Sequence, residues 1–152
     1  MAHRALQILT AAAAAIAARS SLGATVFVHR DATLSAPDNE LPAICVQAGA
    51  DQPIGGETGA TNLAFYDSAF EIVCVAIAVA VGESELIDEL FRLRSEIHLA
   101  LRADTSIGLA FVMDTQYMGA AVPTIDAAAE NMVGRLETYW RVLYRMATID
   151  PN

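Results

Sequence analysis

The amino-acid sequence predicts an α+β fold, in which a mixed, mainly antiparallel sheet carries helices packed on one face. Three observations predict it. Residues 70–81 are almost entirely apolar, residues 84–102 repeat leucine and isoleucine at helical spacing, and residues 135–147 alternate apolar with charged side chains. The predicted order of elements is α-β-β-β-α-β-β, in one domain that covers residues 1–152.

The central strand, predicted over Leu63–Val81, is apolar on both faces. Val73, Val75 and Ile77 lie on one face, and smaller residues such as Cys74 lie on the other. Because side chains alternate between the faces of a strand, this strand should be covered on both sides. The second cover comes either from the same chain or from another subunit. In the second case, the three β-branched residues are candidates for a subunit interface.

An amphipathic helix is expected to follow this strand. Ser84 is a suitable N-cap, and the helix should stop near Ser106–Gly108. Arg92 and Arg94 lie off the centre of the apolar face, where they are either solvated or in contact with an acidic neighbour, and both are candidate interface residues. The apolar face itself consists of Leu86, Leu90, Leu93, Ile97 and Leu101.

The first half of the chain predicts a helix over Arg4–Arg19 and two strands, Thr25–Arg30 and Leu41–Gln47. The alanine-rich helix is expected to be retained, although a cleaved signal peptide is the alternative. The residues proposed for its buried side are Leu6, Leu9, Ala13 and Ile16.

A glycine-rich loop is predicted over Gly49–Asn62. The chain has no lysine, so this loop is not a phosphate-binding P-loop. It is either a flexible hairpin tip or a contact with a partner. For the second interpretation, Gly55 and Gly56 are the candidate contact residues.

The second half predicts a strand over Ile107–Tyr117, a loop over Met118–Asn131 and a last strand over Arg135–Ala147. In the last strand, Tyr139 and Arg141 lie on the polar face and are candidates for an interface. The apolar face should be buried and consists of Leu136, Trp140, Val142, Tyr144 and Met146.

Composition argues for assembly rather than catalysis. The net charge is −9, which disfavours tight sequence-independent binding of nucleic acid. The three histidines are scattered without metal-ligand spacing, and the common hydrolase and dinucleotide motifs do not occur. Cys45 and Cys74 are expected to be buried thiols, with a bridge between adjacent strands as the alternative. We therefore expect no enzyme activity, no cofactor and no metal.

Three segments together resemble the tail terminator proteins of long-tailed bacteriophages, also called minor tail protein U or tail completion proteins. They are Glu40–Ala43, Ala103–Leu109 and the ending Tyr144–Pro151. The similarity extends over most of the chain. It lies in the order of the elements and in their residue types, because none of these segments is a catalytic signature. The alanine-rich first helix and the glycine-rich loop depart from the family pattern.

The resemblance implies a virion protein that forms a ring, usually a hexamer, on the head-proximal end of the tail tube. Such a ring stops tube polymerisation and joins the tail to the head connector. The implied partners are other copies of the chain, the tail tube protein and the connector, while DNA passes through the lumen unbound. Assembly would take place in the host cytoplasm, without a membrane. The alternatives are another phage neck or head-closure protein, or a secreted binding module with a cleaved N-terminus.

Overall fold

The computed structural model describes residues 3–29, 41–54, 65–127 and 131–147. It confirms the predicted α+β class and the order of the main elements. The elements are α1 (Arg4–Ala17), β1 (Thr25–Val28), β2 (Ala43–Pro53), β3 (Phe65–Ala80), α2 (Glu83–Ala103), β4 (Val112–Ala120), β5 (Thr124–Asp126) and β6 (Met132–Ala147).

Within the described ranges, the sheet has six strands in the order β1-β2-β3-β6-β4, and β5 also pairs with β6. Of these strands, β1 and β2 pair in parallel, and the other neighbours pair antiparallel. The two longest strands, β3 and β6, pair without interruption from Phe65↔Ala147 to Ala80↔Met132. This pair is the centre of the sheet and fixes the positions of the shorter strands.

Both faces of β3 are covered, as predicted. Ile72, Cys74 and Ala76 are buried beneath the helices in the main core. On the opposite face, Val75 and Ile77 form a second, smaller core, packed with Leu41 and with residues of β1, β2 and β6. The two side chains are 1% and 0% exposed, so the chain itself covers this part of the second face and no other subunit is needed there.

Helix α2 lies across β3 and β6, and the five residues predicted for its apolar face are all buried. Its approach depends on Gly134 in β6. A Cβ atom at this position would lie 2.9 Å from both Leu86 Cγ and Leu90 Cδ1. Glycine therefore provides the space into which the two leucines pack.

Helix α1 packs beside α2 on the same face of the sheet, which confirms that the helices share one face. Leu9, Ala13 and Ile16 are buried as predicted. Leu6 is exposed instead, because it lies on the outer side of the helix. The other side chains that α1 buries are Ile8 and Ala12.

Charged groups join α1 to α2. Glu96 accepts hydrogen bonds from Arg19 Nε (2.8 Å) and Ser21 Oγ (2.9 Å). Arg92 donates to Glu89 and to the carbonyl oxygens at residues 21 and 22, at 2.7–2.9 Å. These bonds fix the end of the first helix against the middle of the second.

This junction predicts a pH dependence of stability. The hydrogen bonds from Arg19 and Ser21 hold the pKa of Glu96 below its ordinary value of 4.5, and Arg92 likewise lowers the pKa of Glu89. A carboxylate with a lowered folded-state pKa stabilises the fold above its ordinary pKa and loses that effect as pH falls through the lowered value. We expect the Tm of Glu96→Gln to fall less steeply than that of the unmodified chain between about pH 5 and pH 3.

The matched control is Glu85→Gln, which changes an exposed carboxylate in the first turn of α2. Because Glu85 accepts none of the hydrogen bonds of the junction, its replacement should leave the contribution of the junction to acid stability unchanged. Equal slopes for the unmodified chain and Glu96→Gln would show that the junction does not contribute to acid stability.

Two predicted boundaries of α2 are wrong. Its N-cap is Gly82, so Ser84 lies inside the first turn. Its C-terminus is Ala103, because the Asp104 carboxylate accepts hydrogen bonds from the N–H groups of Ser106 and Gly108 and holds the chain in a turn.

The strands differ most from the prediction at the end of the second strand, at the start of the fourth and in one short strand that was not predicted. The second strand continues to Pro53, because a bulge between Ala48 and Asp51 accommodates the first glycine of the predicted loop within the sheet. The fourth strand begins at Val112 instead of Ile107. The predicted loop after it contains the short strand β5. Residues 30–40, between the first two strands, and residues 55–62 of the glycine-rich loop lie outside the described residues.

Candidate assembly surfaces

The face of the sheet opposite the helices carries charged residues on the neighbouring strands β3 and β6. Asp67 on β3 and Arg145 on β6 form a salt bridge with an Nε···Oδ1 distance of 2.9 Å. Glu71 lies directly opposite Arg141 in the same pair of strands. This surface is therefore mixed in charge.

The three β-branched candidates of the central strand separate into two groups. Val75 and Ile77 are enclosed in the second core and have no exposed side-chain surface for a partner. Val73 lies nearer the middle of β3 and is half-buried at the border of that core. Of the three, Val73 is the one positioned to touch another molecule.

Tyr139 and Arg141 lie on the face of the sheet opposite α1 and α2, as their alternation in the strand predicted. Tyr139 is exposed and donates a hydrogen bond to Glu137 Oε2 (2.8 Å), which raises the pKa of its hydroxyl. Arg141 borders a depression of about 210 Å³. The other residues around this depression are Ala50, Gln52, Pro53, Ile54, Ala69 and Glu71.

The two arginine candidates of α2 are engaged within the chain. Arg92 belongs to the junction between α1 and α2. Arg94 Nη2 donates to Tyr117 Oη (2.6 Å), and its guanidinium lies 5.7 Å from the ring centroids of Phe91 and Tyr117. Arg94 therefore joins α2 to β4. Gly55 and Gly56 lie outside the described residues.

The edge strand β4 is a surface that the sequence prediction missed. Two bulges interrupt its pairing with β6, and in each of them the unpaired residue is a methionine, Met113 or Met118. The two side chains are 45% and 48% exposed, and Val122, just beyond the strand, is 84% exposed. The signal for the second bulge was Gly119, since a glycine inside a strand often marks one.

A depression of about 280 Å³ lies beside Val122, at the connection between β4 and β5. Arg135 and Glu137 of β6 border it, together with Ala121 and Thr124. This edge of the sheet therefore presents apolar side chains next to one basic and one acidic group, a combination suited to contact with a protein surface.

A hydrogen-bonded group lies at the opposite side of the sheet, where β2 extends along β3. Asp51 accepts from Ser68 Oγ through Oδ1 (2.8 Å) and from Tyr144 Oη through Oδ2 (2.7 Å). Burial, together with the bond to Asp51, raises the pKa of Tyr144. Both hydroxyls act as donors to one carboxylate, so this group fixes the extension of β2 and supplies no activated nucleophile.

Neither cysteine has the environment of a reactive thiol. Neither Cys45 nor Cys74 forms a disulfide, and the two lie in different cores, on opposite faces of the sheet. Burial raises the pKa of the Cys74 thiol to about 12, so it is protonated at neutral pH. Within the ranges that the structure describes, no group of three or more His, Cys, Asp or Glu residues is arranged to hold a metal ion.

Comparison with models of known protein families and with curated proteins finds no match for this chain. Among the described residues, neither α1 nor α2 combines the length and the hydropathy that a membrane-crossing helix requires.

Proposed function

We propose that this chain is a structural protein of the phage virion, a tail terminator. It forms a ring on the head-proximal end of the tail tube, stops tube polymerisation and presents a joining surface to the head connector. The proposal rests on the family resemblance of the sequence and on one structural feature, the β4 edge with its row of exposed apolar side chains.

The β4 edge is suited to contact with another copy of the chain. At about 3.3 Å per residue, Met113 and Met118 are about 16 Å apart along the strand, and Val122 continues the row. Scattered exposed apolar residues are normal on monomers, whereas a row beside one strand edge is typical of a contact surface. Methionine side chains also adapt to irregular partner surfaces.

A ring requires two different surfaces on each subunit, because its contacts are head-to-tail. The extension of β2 and β3 offers the second surface. Ile54 and Phe65 are 45% and 54% exposed there, on the other side of the sheet from β4. We propose that this extension of one subunit contacts the β4 edge of the next.

The net charge of −9 supports an inert passage for DNA through such a ring. A lumen with excess negative charge repels phosphates and leaves the duplex unbound.

Met118→Asp is expected to prevent ring formation while leaving the subunit folded. It places a charge in the proposed apolar contact, and the side chain lies in a bulge outside both cores. The mass in solution, measured by light scattering after size exclusion, should fall from that of a ring to that of a single chain. Leu99→Asp is the control, because Leu99 is 50% exposed on the outer side of α2.

Two results would count against this interface. One is a ring that persists in Met118→Asp at the mass of the unmodified protein. The other is a loss of the ring in Leu99→Asp as well, because the effect would then not be specific to the β4 edge.

The secreted-module alternative makes a different prediction for the N-terminus. Helix α1 contributes Ile8, Leu9 and Ile16 to the main core. A chain cleaved after Arg19 would leave the apolar side chains beneath α1 uncovered. The intact mass of the purified protein distinguishes the two proposals.

A further inference from the structure

Two backbone hydrogen bonds establish which side of β6 faces β4. The N–H of Arg145 donates to the carbonyl of Phe111 (2.9 Å), and the N–H of Ala121 donates to the carbonyl of Glu137 (2.9 Å). Arg145 and Glu137 are both odd-numbered residues of β6. In an antiparallel ladder, alternate residues direct their backbone groups to opposite neighbours. The odd-numbered residues of β6 therefore bond to β4, and the even-numbered ones bond to β3.

The outward residues of β4 follow from this assignment. Thr115 lies opposite Val142, and Tyr117 lies opposite Trp140. Because both partners are even-numbered, Thr115 and Tyr117 direct their N–H and C=O groups away from the sheet. Between the two bulges, the regular part of β4 thus offers two residues to which another strand could bond.

Side chains of the same molecule occupy the outward groups of Thr115. Its carbonyl accepts a hydrogen bond from Arg102 Nη1 (2.7 Å), and its N–H donates to Asp114 Oδ1 (2.9 Å). Arg102 and Asp114 are themselves 3.9 Å apart. Thr115 is 0% exposed, although it lies in an edge strand. Of the two outward residues, Thr115 therefore has no backbone group left for another strand to bond.

We infer that Arg102 and Asp114 form a clip that prevents a second copy of the chain from adding its own β4 to this edge. An unpaired edge strand is a template for such pairing. The clip occupies the outward N–H and C=O groups of Thr115, so another strand cannot bond to them. The bulges at Met113 and Met118 interrupt the regular strand on either side and shorten the stretch that could pair. Backbone pairing between two copies of the chain is thereby prevented at this edge. This inference does not depend on the proposed function.

Opening the clip should allow two β4 strands to pair antiparallel about Gln116. In that arrangement Thr115 of one copy bonds to Tyr117 of the other, and the two Gln116 residues lie opposite each other. Residues opposite each other at a non-hydrogen-bonded position are about 4.5 Å apart between Cα atoms, which suits a disulfide. The native thiols are buried and do not interfere.

The test is disulfide formation in a Gln116→Cys background under mild oxidation. Arg102→Ala in this background should raise the yield of cross-linked dimer about tenfold, because strand pairing can then replace the lost bond. Arg94→Ala is the matched control. The side chain of Arg94 also reaches from α2 to β4, but it donates to the side chain of Tyr117 and not to the backbone. It should give the yield of the background chain.

Asp114→Ala provides a second opening of the clip, because it frees the N–H of Thr115. It should also raise the dimer yield, and it serves in place of Arg102→Ala if circular dichroism shows that the latter is unfolded. Equal yields from the background chain, the Arg94 variant and a folded clip variant would overturn the inference. An equal rise in the Arg94 variant would overturn it as well.

Discussion

Replacing Trp140 by alanine is expected to destabilise the fold by about 4 kcal/mol, because it removes the largest side chain from the main core. Trp140 is 1% exposed, and its ring centroid lies 5.1 Å from that of Tyr117 and 5.5 Å from that of His98. Its indole N–H also donates to Thr138 Oγ1 (3.2 Å). Urea unfolding followed by circular dichroism measures the loss.

The adjacent residue supplies the control. Tyr139 lies on the same strand but on the opposite face, where its ring is exposed. Tyr139→Ala should cost far less than Trp140→Ala, since it removes one exposed hydrogen bond and little packing. Similar losses for the two variants would contradict the assignment of the two faces of β6.

The second large effect is expected for Gly134→Val. A side chain at this position meets Leu86 and Leu90 of α2 at distances shorter than van der Waals contact. The helix must shift or the leucines must leave their rotamers, which should cost about 3 kcal/mol. The loss is again measured as the free energy of unfolding in urea.

A double-mutant cycle separates this steric effect from the strand preference of valine. Leu86→Ala creates space beneath α2, so Gly134→Val should be less destabilising in that background. We expect a favourable coupling of about 1 kcal/mol or more between the two substitutions. Additive losses would show that the leucine does not limit the space at residue 134.

The central elements could be predicted because their patterns are long and internally consistent. The apolar run of β3, the leucine spacing of α2 and the alternation of β6 each extend over several turns or many strand positions. Burial of the alternate residues of β6 follows directly from that period. Those elements determine the fold class, and it was correct.

Ends and irregularities could not be predicted in the same way. Asp104 ends α2 through hydrogen bonds to residues that follow it, and Gly49 remains in a strand because a bulge accommodates it beside Glu71. Both effects depend on local geometry that periodicity does not report. The sequence alone thus favoured a loop where β2 continues.

The surfaces depend still more on tertiary structure. Val73, Val75 and Ile77 alternate along the same face of β3. Val75 and Ile77 are enclosed because other segments of the chain pack over them, and the sequence pattern does not report that packing. Arg102 donates a hydrogen bond to the carbonyl of Thr115, which lies 13 residues further along the chain in β4. Such contacts between distant segments have no signature in a single sequence.

Native mass spectrometry of the full-length, untagged protein tests the central proposal most directly, because one spectrum reports both the integrity and the association of the chain. A tail terminator should give an intact chain assembled into a single closed ring of about six copies. A spectrum that shows only monomers at every protein concentration, or a chain that lacks α1, would contradict the proposal.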